Sequence, residues 1–195
     1  PFLSDDDISQ AHEINIQTAK AVKDNFGVGY KGILYGGFMA TTNGVKLIEY
    51  NARFGDPEAM NVLPLLESDF IELCHRIADG TLDQMDVKFA NKATVCKYAV
   101  PEGYPDNPVK GEPIDVSKIE NPDELFYASV DFKGANLVEI GSRTVAVVGI
   151  ADTISEAEKI AEKEVSSLSG PLFHRTDIGT DDVIRKRVDH MNALR

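Results

Sequence analysis

Leu47-Ile48-Glu49-Tyr50-Asn51-Ala52-Arg53-Phe54-Gly55-Asp56-Pro57-Glu58 reads as a β-strand running out into a turn. Side chains two apart in a strand point to one face. Glu49, Asn51 and, if the strand continues so far, Arg53 therefore stand in a row. A carboxylate and an amide oxygen suit a hard cation such as Mg²⁺, and a guanidinium beside them suits a phosphate. The row fits phosphoryl transfer, although spacing alone favours the polar face of a surface strand.

Upstream, Lys31-Gly32-Ile33-Leu34-Tyr35-Gly36-Gly37-Phe38-Met39-Ala40 reads as a partner strand, and Val45 to Asn51 as the return strand. Asn43-Gly44 between them is expected to form a type I′ turn, whose two central residues take positive φ. Further upstream, Ser4-Asp5-Asp6-Asp7 offers a cap and early carboxylates for a helix ending before Gly27, with Ile8, Ala11, Ala19 and Val22 among its apolar positions. Past Pro57 the chain to Leu66 reads as helical. Ser68-Asp69 opens another helix whose Phe70, Leu73, Cys74 and Ile77 fall on one core-facing side before Gly80.

From about Thr81 to Asn91 the chain is polar and without period, as expected of a boundary. Lys92 to Val100 reads as a strand, and Pro101, Pro105, Pro108 and Pro113 then impose loops. Leu125 to Val130 and Thr144 to Gly149 read as buried strands. Thr153-Ile154-Ser155-Glu156 reads as a capping box for a helix carrying Ile160, Ala161, Val165 and Leu168 toward the core. The expected fold class is α+β with largely antiparallel strands, divided into a catalytic piece over residues 1–80 and a β-rich domain over 81–195.

The motifs resemble one family closely. Leu34-Tyr35, Gly37 and Met39, then Ile48-Glu49, Asn51-Ala52-Arg53-Phe54-Gly55-Asp56-Pro57-Glu58, match the C-terminal part of the glycinamide ribonucleotide synthetases, the phosphoribosylamine-glycine ligases of the ATP-grasp superfamily. Glu-x-Asn-x-Arg alone is shared by several ATP-grasp families. Gly103-Tyr104-Pro105, Gly111, Phe126-Tyr127-Ala128-Ser129, Gly141-Ser142-Arg143, Val145-Ala146-Val147-Val148-Gly149 and Arg175-Thr176-Asp177-Ile178-Gly179 follow in the family's order, so the resemblance covers nearly the whole chain.

The resemblance implies the C-terminal half of an ATP-grasp domain followed by the family's C-terminal domain. It also implies ATP-dependent joining of glycine to 5-phosphoribosylamine through glycyl phosphate, with Mg²⁺, or Mn²⁺ in its place, held by Glu49 and Asn51. Many ATP-grasp enzymes carry an acidic metal ligand on the first hairpin strand, where this chain has Gly37. Arg53 is the expected catalytic cation, against the alternative of an ion pair with Asp56 or Glu58. Asp56 and Glu58 are candidate substrate contacts, although with Pro57 they read equally as a turn and helix start; Arg143 is another, and so are Arg175 and Asp177, for which an intramolecular salt bridge is the equal alternative. The family has glycine where Ser142 stands and often lysine where Asp131 stands. The histidines at 12, 75, 174 and 190 form no cluster in sequence, and no catalysis is assigned to them.

Composition narrows the alternatives. The chain has 195 residues, 43% hydrophobic and 27% charged, within the range of soluble globular proteins, and a formal charge of −12. That charge argues against a nucleic-acid partner, and anionic substrates must be met by local cations. No apolar run reaches transmembrane length and the N-terminus is acidic, so neither a membrane nor a secretory route is expected and the cytoplasm is. Cys74 and Cys96 lack metal-binding spacing and are expected as buried structural thiols. Pro1 in place of methionine suggests a piece of a longer protein, whose N-terminal part would be the partner of this one and without which no turnover is expected. The alternatives are another ATP-grasp carboxylate-amine ligase, or a non-catalytic partner chain of a split enzyme.

Overall fold

The computed structural model describes residues 1–195, a mixture of helices and antiparallel sheets that packs as two compact units. No helix is long and apolar enough to cross a membrane. The first unit comprises Pro1–Ala59, Leu66–Ala90 and Ile184–Arg195; the second comprises Met60–Leu65 and Asn91–Val183.

In the first unit, helix α1 (Asp5–Phe26) begins at a reciprocal cap. The Ser4 hydroxyl accepts from the Asp7 amide at 3.2 Å, and the Asp7 carboxylate accepts from the Ser4 amide at 2.8 Å. Two donors that a helix start leaves open are thereby satisfied. Gly27, at φ +75°, closes the other end in the left-handed conformation. The helix packs on the antiparallel hairpin β1 (Tyr35–Thr41) and β2 (Gly44–Asn51). Gln10 Oε1 accepts from the Val45 amide at 3.0 Å, Tyr50 Oη bonds Asn15 Oδ1 at 2.7 Å, and the Phe38 and Tyr50 rings meet edge to face at 6.4 Å.

The hairpin tip differs from the expected type I′ turn. Thr41 pairs with Gly44, which leaves Thr42 and Asn43 at the tip, and no non-glycine residue of the chain has positive φ. Gly44 alone is left-handed, at φ +85°, as in a turn closed by a glycine bulge. Thr41 accounts for the change: its hydroxyl accepts from the Asn43 amide at 3.1 Å and donates to the Gly44 carbonyl at 2.7 Å.

A short helix α2 (Glu58–Val62) and a 3₁₀ turn (Leu63–Leu65) follow β2, then α3 (Phe70–Asp79), capped by the Asp69 carboxylate. The face of α3 expected in the core is only partly covered. Leu73 is 8% exposed, but Phe70 is 45% exposed and the Cys74 thiol is also exposed. The helix packs against the 3₁₀ turn Leu82–Gln84, an element too short to cover four side chains. Cys96 is half-buried, so neither thiol is the fully buried one expected.

The second unit holds β3 (Ala93–Pro101), β4 (Leu125–Tyr127), β5 (Val130–Lys133), β6 (Asn136–Glu139), β7 (Val145–Ala151) and β8 (Leu172–His174). β4, β7, β3 and β8 form one antiparallel sheet in that order, and β5 and β6 form a separate hairpin. Leu125 to Val130, read as one buried strand, is thus split between two sheets, and its first part is an edge strand with Tyr127 55% exposed. Central β7 is apolar on both faces because both are covered, Val145 to Val148 being at most 1% exposed.

Helix α4 (Ile154–Ser167) lies on β3 and β7. The Thr153 hydroxyl accepts from the Glu156 amide at 3.2 Å and donates to the Glu156 carboxylate at 2.9 Å. A Cβ at Gly149 would stand 1.9 Å from the Ala157 carbonyl, so glycine permits a close approach of helix to strand. Small residues then form the contact: Ala157, Ala161 and Val165 are buried, whereas Ile160, expected in the core, lies off that row at 38% exposure. The chain ends in α5 (Asp181–Leu194).

A charge cluster around one buried lysine links this sheet to α4. Lys97 Nζ on β3 donates to Glu158 Oε1 at 2.7 Å, to Glu162 Oε2 at 2.5 Å and to the Thr176 carbonyl at 3.1 Å, while Glu162 Oε1 meets His174 Nε2 at 3.0 Å. Burial pushes the Glu162 carboxyl up, but its bonds to Lys97 and His174 more than offset this and hold it below the ordinary glutamate value. A carboxylate with a depressed folded pKa adds stability above its unfolded pKa of about 4.3, and that stability is lost as pH falls through the folded value. Glu162→Gln should therefore lower Tm at neutral pH and flatten the fall of Tm below about pH 4.3. Thermal melts of the 195-residue chain across that range check this, and an unchanged acid slope would remove Glu162 from the linkage.

Candidate active site

The turn after β2 and the open face of the hairpin wall a cleft of about 320 Å³, which Glu49, Asn51, Arg53, Asp56 and Glu58 all line. Glu49 pairs across the hairpin with Gly37, and Asn51 with Tyr35. The register slips between Gly37 and Phe38, leaving Ile48 as an extra residue, and such a bulge twists a strand and re-aims its side chains. A Cβ at Gly37 would lie 3.6 Å from Glu49 Cγ, so the glycine leaves the surface over that carboxylate's stem open. β2 ends at Asn51, and Arg53 reaches the cleft from the following bend rather than by strand alternation.

Tyr35 completes the cleft, a role not read from the sequence. Its hydroxyl donates to Glu58 Oε1 at 2.9 Å. Burial pushes the phenol up, its bond to Glu58 and the charge of Glu58 push it further, and the charge of Glu49 adds to them. Two carboxylates, Glu58 and Glu49, thus act on the Tyr35 hydroxyl. Tyr35 stands on the face of Gly37, two residues along, so strand periodicity contained the signal. Arg53 Nη1 donates to the Phe54 carbonyl at 2.6 Å, while Glu58, weighed as its ion-pair partner, bonds Tyr35.

No group of three or more His, Cys, Asp or Glu side chains converges as a metal site. Of the groups lining the cleft, the Glu49 carboxylate and the Asn51 amide oxygen are hard oxygen donors from one strand. That is the set Mg²⁺ uses when phosphate oxygens and water complete its shell.

Two further candidates lie in the second unit. The Arg143 guanidinium stands 5.5 Å from the centre of the Tyr98 ring, a cation-π contact. Arg175 forms a two-pronged bond with Asp177, Nε to Oδ1 at 2.9 Å and Nη2 to Oδ2 at 2.7 Å, which holds the Asp177 carboxyl below its ordinary value. The pair is exposed, and exposed ion pairs are weak enough for an anionic ligand to compete. Lys97, buried on β3, is not singled out by the sequence, because its partners Glu158, Glu162 and Thr176 lie far along the chain.

Comparison with known proteins places these features. The family model for the phosphoribosylglycinamide synthetase ATP-grasp (A) domain matches residues 1–59, and the model for the synthetase C domain matches residues 94–181. A phosphoribosylamine-glycine ligase of Methanocaldococcus jannaschii is 55% identical over 198 residues, covering 100% of this chain and 44% of the relative. One of Methanosarcina acetivorans is 51% identical over 195 residues, again covering 100% of this chain and 44% of the relative. The crystal structure of a phosphoribosylamine-glycine ligase from Thermotoga maritima matches with a TM-score of 0.78 at 28% identity, over 90% of this chain and 44% of that one. The biotin carboxylase subunit of pyruvate carboxylase shares the fold alone, with a TM-score of 0.56 at 20% identity over 98% of this chain and 40% of that one. This chain thus spans less than half the length of the curated relatives it matches. With both domain models matched in order along one α+β chain, it belongs to the phosphoribosylglycinamide synthetase family of ATP-grasp proteins.

Proposed function

We propose that the chain is the C-terminal part of a phosphoribosylamine-glycine ligase, which joins glycine to 5-phosphoribosylamine to give glycinamide ribonucleotide, ADP and phosphate. The observation that carries this reading is the placement of Glu49, Asn51 and Arg53 along one cleft, on the stretch that the ATP-grasp match spans. Residues 1–80 are the C-terminal half of the ATP-grasp domain and residues 81–195 the C-terminal domain. The two family matches, falling on either side of that boundary, support the division.

ATP supplies the phosphoryl group that activates the glycine carboxylate, and the amine of phosphoribosylamine then displaces phosphate from the carbonyl carbon. Glu49 and Asn51 would hold Mg²⁺, or Mn²⁺ in its place, which supplies charge neutralisation to the nucleotide phosphates. Arg53 offsets the charge that spreads over the transferring oxygens. Asp56 and Glu58 orient the amine, with Glu58 steadied by Tyr35 at 2.9 Å. Arg143 and Arg175 meet the anionic parts of the substrates, as a chain of formal charge −12 requires of its local cations.

The test is a completed ligase, made by joining the N-terminal part of the Methanocaldococcus jannaschii relative to this chain. ADP release should require glycine and phosphoribosylamine together, and the 195-residue chain alone should stay far below the roughly 1 per second at which enzymes commonly turn over. Release with a different carboxylate and amine, and none with this pair, would reassign the substrates. Turnover by the chain alone would overturn the division of the site between two parts.

A further inference from the structure

Lys97 bonds the carbonyl of Thr176, the residue between the exposed Arg175 and Asp177 that form the fork. The Lys97 side chain is 0% exposed, and the three protons of its ammonium have three acceptors: Glu158, Glu162 and the Thr176 carbonyl. Both carboxylates belong to α4, while the carbonyl belongs to the segment that follows β8. That segment is fastened at alternate points. His174 pairs with Ala99 in the sheet and bonds Glu162, and Thr176 bonds Lys97. Further on, a Cβ at Gly179 would stand 2.8 Å from Val95 Cγ1 and 3.4 Å from Glu158 Cγ, so the chain is pressed against β3 and α4 there too. Between these anchors the side chains of Arg175 and Asp177 turn outward, 68% and 49% exposed, and grip each other.

Stability alone explains this arrangement poorly. Burying the Lys97 ammonium forfeits its hydration, and apolar replacements of such buried charges are often as stable, while Glu158 and Glu162 stay 14% and 32% exposed. Such clusters are better suited to selecting one conformation.

We propose that Lys97 is a positioning residue, which locks the backbone at residues 174–177 so that Arg175 and Asp177 are presented in one geometry to an anionic group of the substrate. This rests on the reading of Arg175 as a substrate contact. Lys97→Met combined with Glu158→Gln and Glu162→Gln removes the cluster without stranding a buried charge. Trypsin cleaves after Arg175 only when that segment opens locally, so cleavage there, followed by mass spectrometry in the 195-residue chain, reads the lock itself. Cleavage after Lys110, in a separate exposed loop, serves as the internal reference.

Cleavage after Arg175 should accelerate about tenfold or more relative to Lys110. In the completed ligase the same variant should raise KM for phosphoribosylamine about tenfold with kcat within about twofold, as loss of positioning in binding predicts. Equal acceleration at both sites, in the triple variant and in the milder Glu158→Gln, would make the cluster a general stabiliser and overturn the proposal. An unchanged cleavage pattern would overturn it too. Arg175→Ala separates the two readings: if it leaves KM unchanged while cleavage in the triple variant still accelerates, Arg175 fails as a substrate contact and the lock stands.

Discussion

Glu49→Gln in the completed ligase should lower turnover by on the order of a hundredfold or more, the usual consequence of losing a principal electrostatic contact to the reacting groups. Glu49 is exposed on β2, and exposed substitutions of similar size rarely move stability much, so Tm should stay within a few degrees. Glutamine keeps the side chain's length and one oxygen but removes the charge that a hard cation needs most. The Mg²⁺ concentration for half-maximal rate should accordingly rise. Tyr35 offers a second readout, since the Glu49 charge is the smallest of the influences that raise its phenol. Its titration should move only slightly toward the ordinary tyrosine value, because burial and Glu58 remain. Retained turnover with an unchanged Mg²⁺ requirement would return Glu49 to the role of a surface-strand carboxylate.

What could be read from the sequence is what local geometry determines. The start and stop of α1 are written in Ser4, Asp7 and Gly27, because capping uses side chains within four residues of the groups they satisfy. The meeting of Glu49 and Asn51 follows from the period of a strand and needs no knowledge of what packs behind it. The hairpin tip was misread for an equally local reason. Asn-Gly favours one turn, but the Thr41 hydroxyl two residues earlier competes for the same amide and carbonyl.

The remaining misreadings concern neighbours distant in sequence. Periodicity marks Phe70 and Cys74 as one side of a helix but does not say whether anything large enough covers that side. Ile160 looks like a better core residue than Ala157 until Gly149 brings the helix so close to the strand that only small side chains fit. Lys97 is joined to partners 61, 65 and 79 residues away, and no local pattern foretells such a cluster.

Arg53 distinguishes the catalytic reading from the structural one most sharply. In the completed ligase Arg53→Lys should lower turnover by roughly tenfold to a hundredfold, because a compact ammonium cannot reproduce the planar fork of donors that guanidinium offers to phosphoryl oxygens. Tm should hardly change, since the guanidinium is exposed and its bond to the neighbouring Phe54 carbonyl is a local one that water readily replaces. If Arg53 served only to steady the turn into α2, lysine would largely substitute and the loss would be within about threefold, as for most exposed polar contacts. Turnover and Tm measured on one preparation separate these cases. The Mg²⁺ requirement supplies a third axis: it should shift for Glu49→Gln and stay put for Arg53→Lys, because a cation on the phosphates and a ligand of the metal act on different atoms. A shift of equal size in both variants would mean that Arg53 acts by shaping the metal site, and its assignment to the transferring phosphoryl group would fall.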